Sequence, residues 1–285
     1  MSSEGIITFT DIDDFDPDQI FDCGQCFRWE KTGDGKEKRN SVWHGIAGGR
    51  RGIVKFRDGV LTIMDSSLEE QLCTEAEARR FWRNYFDLDR DYGAIKEKLS
   101  ACDPVMEAAI REGSGIRILK QDPWETLISF IISQNNNIPR IKKCIASLAE
   151  TLGENGNLPA PEVLAGADSS DVAGCRLGYR DRYLIEAAGQ YLEWGEPGSV
   201  EELLKFSGVG PKVANCIALF GLGLMDSFPI DVWMRRVMSR LYGMAEDDIK
   251  GMTAFAREHF TPYGGIAQQY LFYFITHKSV DKSGE

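Results

Sequence analysis

The sequence lacks any uninterrupted apolar run of the ~18 residues that a membrane helix needs, so no membrane span is expected. Its N-terminus, Met-Ser-Ser-Glu-Gly-Ile-Ile, has neither the basic region nor the apolar core of a secretory leader, and the expected location is the cytoplasm. Seven cysteines, an odd number scattered along the chain, fit a reducing compartment better than a disulfide framework. Cys23-Gly-Gln-Cys26 has the spacing of redox and zinc sites, but no second pair or histidine cluster completes four ligands, so no metal is expected there. A close run of four cysteines, as iron-sulfur clusters require, is also missing, and no cluster is expected. Base is in deficit, with 33 Lys and Arg against 44 Asp and Glu and a net charge of −11. That balance disfavours a broad electrostatic grip on nucleic acid. The acid is unevenly placed, however, in Asp11-Ile-Asp-Asp-Phe-Asp-Pro-Asp18 and Glu246-Asp-Asp248. Backbone amides and a few arginines could still hold phosphates elsewhere.

What is present is an ordinary globular composition, 43% hydrophobic and 11% aromatic in 285 residues, enough for two domains. From residue 6 to about 65 the pattern is strand-like. Gln25–Trp29, Ser41–Gly45, Gly52–Phe56 and Val60–Met64 alternate or run apolar between turn residues, and Arg57-Asp-Gly-Val60 reads as a hairpin. The polar stretch Gly33–Asn40 reads as a mobile loop. From Glu75 onward apolar residues fall at helical spacing, and Asp103-Pro104 and Asp122-Pro123 look like helix caps with proline at the first helical position. The expectation is an α+β protein, an antiparallel sheet over 1–100 followed by a mainly helical, two-lobed part over 101–285 with a cleft between its lobes. No internal repeat or low-complexity tract is present.

Four segments carry candidate chemistry. Phe206-Ser-Gly-Val-Gly-Pro-Lys-Val-Ala is a glycine-pivoted turn at Gly208, Val209 and Gly210 leading into a helix, with Lys212 just inside it. Such a helix start suits an anion such as a DNA phosphate. Pro229-Ile-Asp-Val follows a short helix later, so Lys212 and Asp231 could form an amine nucleophile and its electrostatic partner. The same turn also reads as any phosphate-binding helix start. Asn135, Asn136 and Asn137 interrupt the apolar segment that begins at Gln121; their amides could read base edges or phosphates, or simply cap a helix–helix turn. Tyr179-Arg180 after a glycine could be an exposed pair that wedges between bases, or a tyrosine covering a helix end. Gln268 and Phe272 share a helical face and could line a purine pocket, or belong to an ordinary core helix.

In combination these segments resemble the helix-hairpin-helix DNA glycosylases, and more closely their 8-oxoguanine DNA glycosylase branch. The resemblance runs from Gly24 to Phe272. It implies a TBP-like antiparallel sheet domain before a helical glycosylase domain whose hairpin spans about 199–221. It implies catalysis by Lys212, which attacks C1′ as a neutral amine, forms a Schiff base and eliminates the 3′ phosphate, with Asp231 stabilising the positive sugar. The flipped 8-oxoguanine would be read by Gln268, Phe272, Cys216 and the carbonyl of Gly24, which accepts the N7 hydrogen that guanine lacks. Asn135 would fill the vacated gap, Arg140 would address the opposite cytosine, and Tyr179 and Arg180 would act on the opposite strand. Gly208, Val209, Gly210 and Lys212 would hold phosphate, a cation could sit at the Ser207–Pro211 turn, and no cofactor is required.

One position departs from the family pattern. Trp233 stands where a histidine is often found against phosphate, and indole cannot carry that charge. The implied partners are duplex DNA containing 8-oxoguanine and the downstream enzymes that process abasic sites and nicks. The protein would be a monomer, nucleoid-associated in a prokaryote or nuclear in a eukaryote. The rival readings are a monofunctional alkylpurine glycosylase, against which Lys212 argues, and a hairpin module that binds DNA without catalysis. Adenine and thymine-glycol glycosylases are disfavoured by the missing cluster cysteines.

Overall fold

The computed structural model describes residues 5–32 and 41–277; the expected loop Gly33–Asn40 lies outside the described residues. Five strands, β1 (Ile6–Phe9), β2 (Trp29–Thr32), β3 (Val42–Ala47), β4 (Arg50–Arg57) and β5 (Val60–Asp65), form one antiparallel sheet in the order β1-β5-β4-β3-β2. The β4–β5 turn is the expected hairpin: Arg57 pairs with Val60, and Asp58 and Gly59 take φ of 49° and 77°, the twist that two-residue hairpins need. Alternate residues Ile7, Phe9, Trp43, Val54, Leu61 and Ile63 are buried beneath α1 (Pro17–Asp22) and α3 (Glu75–Tyr85), with the single turn α2 (Ser66–Glu69) between β5 and α3. A reciprocal Thr74–Glu77 capping box starts α3. Gly45 and Gly52 are where they are because a Cβ would stand 2.3 Å from Trp29 and 2.7 Å from Trp82 respectively. Both indoles are thereby buried with their N–H groups satisfied, Trp29 by Tyr85 Oη and Trp82 by Asp65 Oδ2, each at 2.8 Å.

The Gln25–Trp29 stretch differs from its expected strand. Residues 23–28 bend across the end of the sheet, and pairing begins only at Trp29. Gln25 explains this. Wholly buried, it donates through Nε2 to the carbonyls of Ile20 and Arg117, both at 2.9 Å, and accepts from the N–H of Leu119 at 2.8 Å. Its own carbonyl accepts from Gln121 Nε2 at 2.6 Å. The segment is thus tied to residues 117–121 by side chains, which leaves Gly24 free to take φ +77°.

The helical part continues through α4 (Tyr92–Ser100), α5 (Pro104–Glu112), α6 (Pro123–Ser133), α7 (Ile138–Leu152), α8 (Pro161–Ala165), α9 (Arg180–Trp194), α10 (Val200–Leu203), α11 (Pro211–Phe220), α12 (Val232–Tyr242), α13 (Ile249–Phe260) and α14 (Gly264–His277). Asp103 and Asp122 cap α5 and α6 by accepting from Met106 and Glu125 N–H, as their Asp-Pro pairs suggest. Buried residues form two clusters. The sheet cluster runs from Ile7 to Phe86 and recruits Leu119. The helical cluster starts at Tyr92 and recruits Cys23 and Phe27 from the sheet part. At its centre α14 packs against α5 and α12 while α11 packs against α6, which brings the lysine turn and the last helix toward the Gly24 bend.

Candidate active site at the hairpin and the last helix

α10 and α11 bracket the turn 204–210. Gly208 has φ +75°, and a Cβ there would collide with Tyr183 at 2.7 Å, so both conformation and packing demand glycine. Val209 is buried and anchors the turn, whereas a Cβ on Gly210 would meet nothing within 4 Å. Gly210 caps α11 without a side-chain bond and Pro211 takes the first helical position. The first N–H groups of α11 are therefore open to an outside anion. Lys212, one position further, carries its Nζ 5.4 Å from the centre of the Phe130 ring on α6.

A cavity of about 50 Å³ opens beside that amine. Its walls include all six residues expected for catalysis and base reading: Gly24, Lys212, Cys216, Asp231, Gln268 and Phe272. Five more were missed by sequence reasoning, namely Cys23, Phe130, Phe220, Pro229 and Gln269. Asp231 is fixed as the N-cap of α12 by accepting from Met234 N–H through Oδ1 at 2.7 Å. Cys216, one turn after Lys212, is buried; burial pushes its thiol pKa up, against the opposing charge of Lys212, so it serves as a neutral, apolar wall. Burial likewise pushes the Cys23 thiol up to about 12. Opposite them the Phe272 ring comes within 3.4 Å of where a Cβ on Gly24 would be.

Gln268 and Gln269 are each 3% exposed. Gln269 Nε2 donates to Gln268 Oε1 at 2.7 Å. Gln269 Oε1 and Tyr270 Oη are the buried side-chain polar atoms without a partner among the described residues. An acceptor buried this way costs about 1–3 kcal/mol. The sequence did carry a signal for Gln269: two adjacent amides stand in a helix otherwise flanked by Ile266, Ala267, Tyr270 and Leu271.

The remaining expected residues form a second group. α6 ends at Ser133 and α7 begins at Ile138, with Asn135 at φ +46° and Asn137 capping α7 by accepting from Arg140 N–H at 3.0 Å. Asn135 and Arg140 are exposed, and Arg140 donates to the Arg176 carbonyl at 3.4 Å. The expected exposed Tyr-Arg pair is half right. Tyr179 is 52% exposed, but Arg180 is 4% exposed and is not a free surface guanidinium. It donates to the carbonyls of Leu177, Gln134 and Asn135 at 2.9, 3.0 and 3.2 Å, and lies 4.5 Å over the Tyr179 ring. The physical reason is the asparagine turn: its carbonyls point inward once α6 stops, and a planar fork of donors satisfies several at once. Trp233 is exposed on the first turn of α12 and carries the Arg236 guanidinium 4.9 Å over its ring. Positive charge thus reaches that spot from the next turn of the helix.

A lysine-bearing hairpin turned toward a cavity, on a sheet-plus-helices scaffold, is the arrangement of a base excision repair protein. Residues 128–262 match the profile of the HhH-GPD superfamily of base excision DNA repair proteins, and residues 7–127 match that of the N-terminal domain of 8-oxoguanine DNA glycosylase. The chain belongs to the 8-oxoguanine DNA glycosylase family. It is 30% identical over 224 residues to a probable N-glycosylase/DNA lyase of Methanothermobacter thermautotrophicus, covering 66% of this chain and 70% of that one. The apo structure of the 8-oxoguanine glycosylase/lyase of Clostridium acetobutylicum aligns with a TM-score of 0.84 at 37% identity, covering 96% of this chain and 98% of the other. The same enzyme bound to duplex DNA with cytosine opposite 8-oxoguanine aligns with a TM-score of 0.85 at 37% identity, covering 97% and 96%.

Proposed function

We infer that this chain is a bifunctional DNA glycosylase and abasic-site lyase that excises 8-oxoguanine from duplex DNA in base excision repair, with cytosine opposite the lesion. The observation that carries the reading is the convergence of Lys212 and Asp231 on a cavity whose other walls include Gly24, Cys216, Gln268 and Phe272. The Lys212 amine gives its electron pair to C1′ as the bond to the base breaks, and the departing base takes up a proton. Ring opening then gives a Schiff base; loss of a C2′ proton expels the 3′ phosphate, and water releases the lysine. Asp231, held by its cap, places negative charge beside the sugar as positive charge develops there. Cys216 and Phe272 flank the flipped base, Gln268 reads its Watson–Crick edge, and the Gly24 carbonyl accepts the N7 hydrogen. A single such bond, present for the lesion and replaced by two facing acceptors for guanine, is enough for discrimination of the order of kcal/mol.

Asn135 fills the gap left by the base, Arg140 addresses the opposite cytosine and Tyr179 wedges beside it. Arg180 acts with them by holding the asparagine turn. The open N–H groups of α11 receive a phosphate with Gly208, Val209, Gly210 and Lys212. A cation at this turn would meet the carbonyls of Ser207, Gly208 and Val209, none of which accepts a backbone hydrogen bond among the described residues. Arg236 on Trp233 supplies the phosphate contact that indole cannot.

The chemistry needs no cofactor, and the described residues contain no cluster of three or more His, Cys, Asp or Glu that could hold a metal. No helix among them is long and apolar enough to cross a membrane. The reading includes a sheet unit at 1–100, a helical unit at 101–285, a monomer in the cytoplasm, and hand-over of the nicked product to enzymes that process abasic ends. Incubation with an 8-oxoguanine:cytosine duplex in borohydride tests it. A covalent protein–DNA band that vanishes in Lys212→Gln is expected; an equal band from that variant would refute the amine mechanism.

A further inference from the structure

We propose that Gln269, beside Gln268, is a second specificity-determining residue of the base pocket, supplying the acceptor that reads the donor side of a guanine-type Watson–Crick edge. The proposal rests on the cavity being the base pocket. Both glutamines line it and both are 3% exposed. Their mutual bond runs one way, from Gln269 Nε2 to Gln268 Oε1 at 2.7 Å. That bond occupies one lone pair of Gln268 Oε1 and turns it toward Gln269, leaving Gln268 Nε2 as the donor of the pair. Gln269 is left with its Oε1, buried and without a partner among the described residues. Native proteins rarely leave such an atom unpaired, and on a residue that lines the base cavity the missing donor is one that an entering base can bring.

Taken together the two amides present one donor and one acceptor. A guanine-type edge presents the complement: O6 accepts, while N1–H and the exocyclic amine donate. An adenine-type edge reverses this, with a donating amine and an accepting N1. Against it Gln268 Nε2 would face an N–H, and Gln269 Oε1 would face a lone pair. Relieving both mismatches requires the two amides to turn together, because the bond between the glutamines couples their orientations. In the orientation present the pair matches guanine-type rather than adenine-type lesions, complementing the Gly24 carbonyl, which on the proposed reading separates oxidised from intact bases.

The test uses the full chain and three duplexes, carrying 8-oxoguanine, 8-oxoadenine or a preformed abasic site. Gln269→Leu removes the amide at nearly constant volume, and Gln269→Met serves as an independent second change. For both variants we expect kcat/KM on 8-oxoguanine to fall about 10- to 100-fold, the cost of an unmade hydrogen bond in a buried site. Preference for 8-oxoguanine over 8-oxoadenine should shrink by a similar factor, with abasic-site cleavage within about twofold of the parent. Undiminished excision of 8-oxoguanine overturns the proposal. Equal loss on all three substrates also overturns it, by reducing Gln269 to a packing residue. Failure of the parent protein to excise 8-oxoguanine is a different result and removes the base-pocket reading itself.

Discussion

Replacing Gly24 by alanine separates the base-reading role of the bend from its structural one. Gly24 sits at φ +77°, a conformation that costs an L-residue about 1–2 kcal/mol. For a chain of this size that is a fall of a few degrees in Tm. The added methyl would stand 3.4 and 3.6 Å from two atoms of the Phe272 ring, which is ordinary contact, so the empty protein accommodates it. The base does not have that freedom, because on the proposed reading it lies between Phe272 and Cys216 with its N7–H on the Gly24 carbonyl, directly beside the added methyl. Displacing it by a methyl breaks the approach of N7–H to the Gly24 carbonyl and of C1′ to Lys212. Misplacement on this scale costs about 100-fold in rate. Single-turnover excision of 8-oxoguanine should therefore drop about 100-fold in Gly24→Ala while cleavage of a preformed abasic site, which brings no base, stays near the parent rate. Equal loss on both substrates would show that the substitution acts through folding. Unchanged excision would show that the base does not approach the Gly24 carbonyl.

Asp231→Asn keeps a side chain that can cap α12, so stability should hold while excision slows by about 10²–10³; Asp231→Ala should in addition lose about 1 kcal/mol in denaturant unfolding, and equal stabilities would contradict the cap. Arg180→Ala strips donors from three carbonyls and should cost about 3 kcal/mol or more, whereas Arg140→Ala, on an exposed side chain, should stay within about 0.5 kcal/mol and mainly relax the preference for cytosine opposite the lesion. Similar urea midpoints for the two variants would rule out the brace. Burial alone would raise the Asp18 pKa, but hydrogen bonds from Lys31, Ser41 and Trp43 hold it below its ordinary 3.8. A carboxylate depressed in the folded state adds stability above its unfolded value and loses it as pH falls through the lower folded value. Asp18→Asn should accordingly flatten the acid limb of the stability profile below about pH 4, and parallel limbs would exclude Asp18 as its source.

Local signals made much of this structure legible. The Asp58-Gly59 hairpin, the Asp-Pro caps at Asp103 and Asp122 and the asparagine break after Ser133 depend on residues close in sequence, and each stands where local chemistry puts it. Lys212 with Asp231 and Gln268 with Phe272 stood out as pairs on their own, but that these four would meet Gly24 and Cys216 in one cavity was legible only through family resemblance, since no spacing rule joins residues so far apart. Three features stayed hidden because they depend on tertiary partners. Gln25–Trp29 has the apolar alternation of a strand, yet Gln25 finds its hydrogen bonds in residues 117–119 rather than across a ladder. Arg180 looks like a surface cation until the carbonyls of Gln134 and Asn135 turn toward it. Arg236 gains its meaning only by lying on Trp233.

The closeness of the Phe272 ring to the Gly24 bend gives the proposed pocket a kinetic order of events. The Phe272 ring stands 3.4 Å from where a Cβ on Gly24 would be, so ring and bend are nearly in contact at the edge of the cavity. On the proposed reading the Phe272 ring moves away from the Gly24 bend as the extruded base is admitted. The fraction of molecules already parted multiplies the apparent affinity for every base that is tried. On the proposed reading an intact guanine meets that cost, finds no hydrogen bond at N7 to offset it, and returns to the helix quickly. The lesion meets the same cost, but the proposed bond to the Gly24 carbonyl holds it once inside. Speed of rejection, rather than strength of capture, then governs how much undamaged DNA one molecule can inspect between lesions.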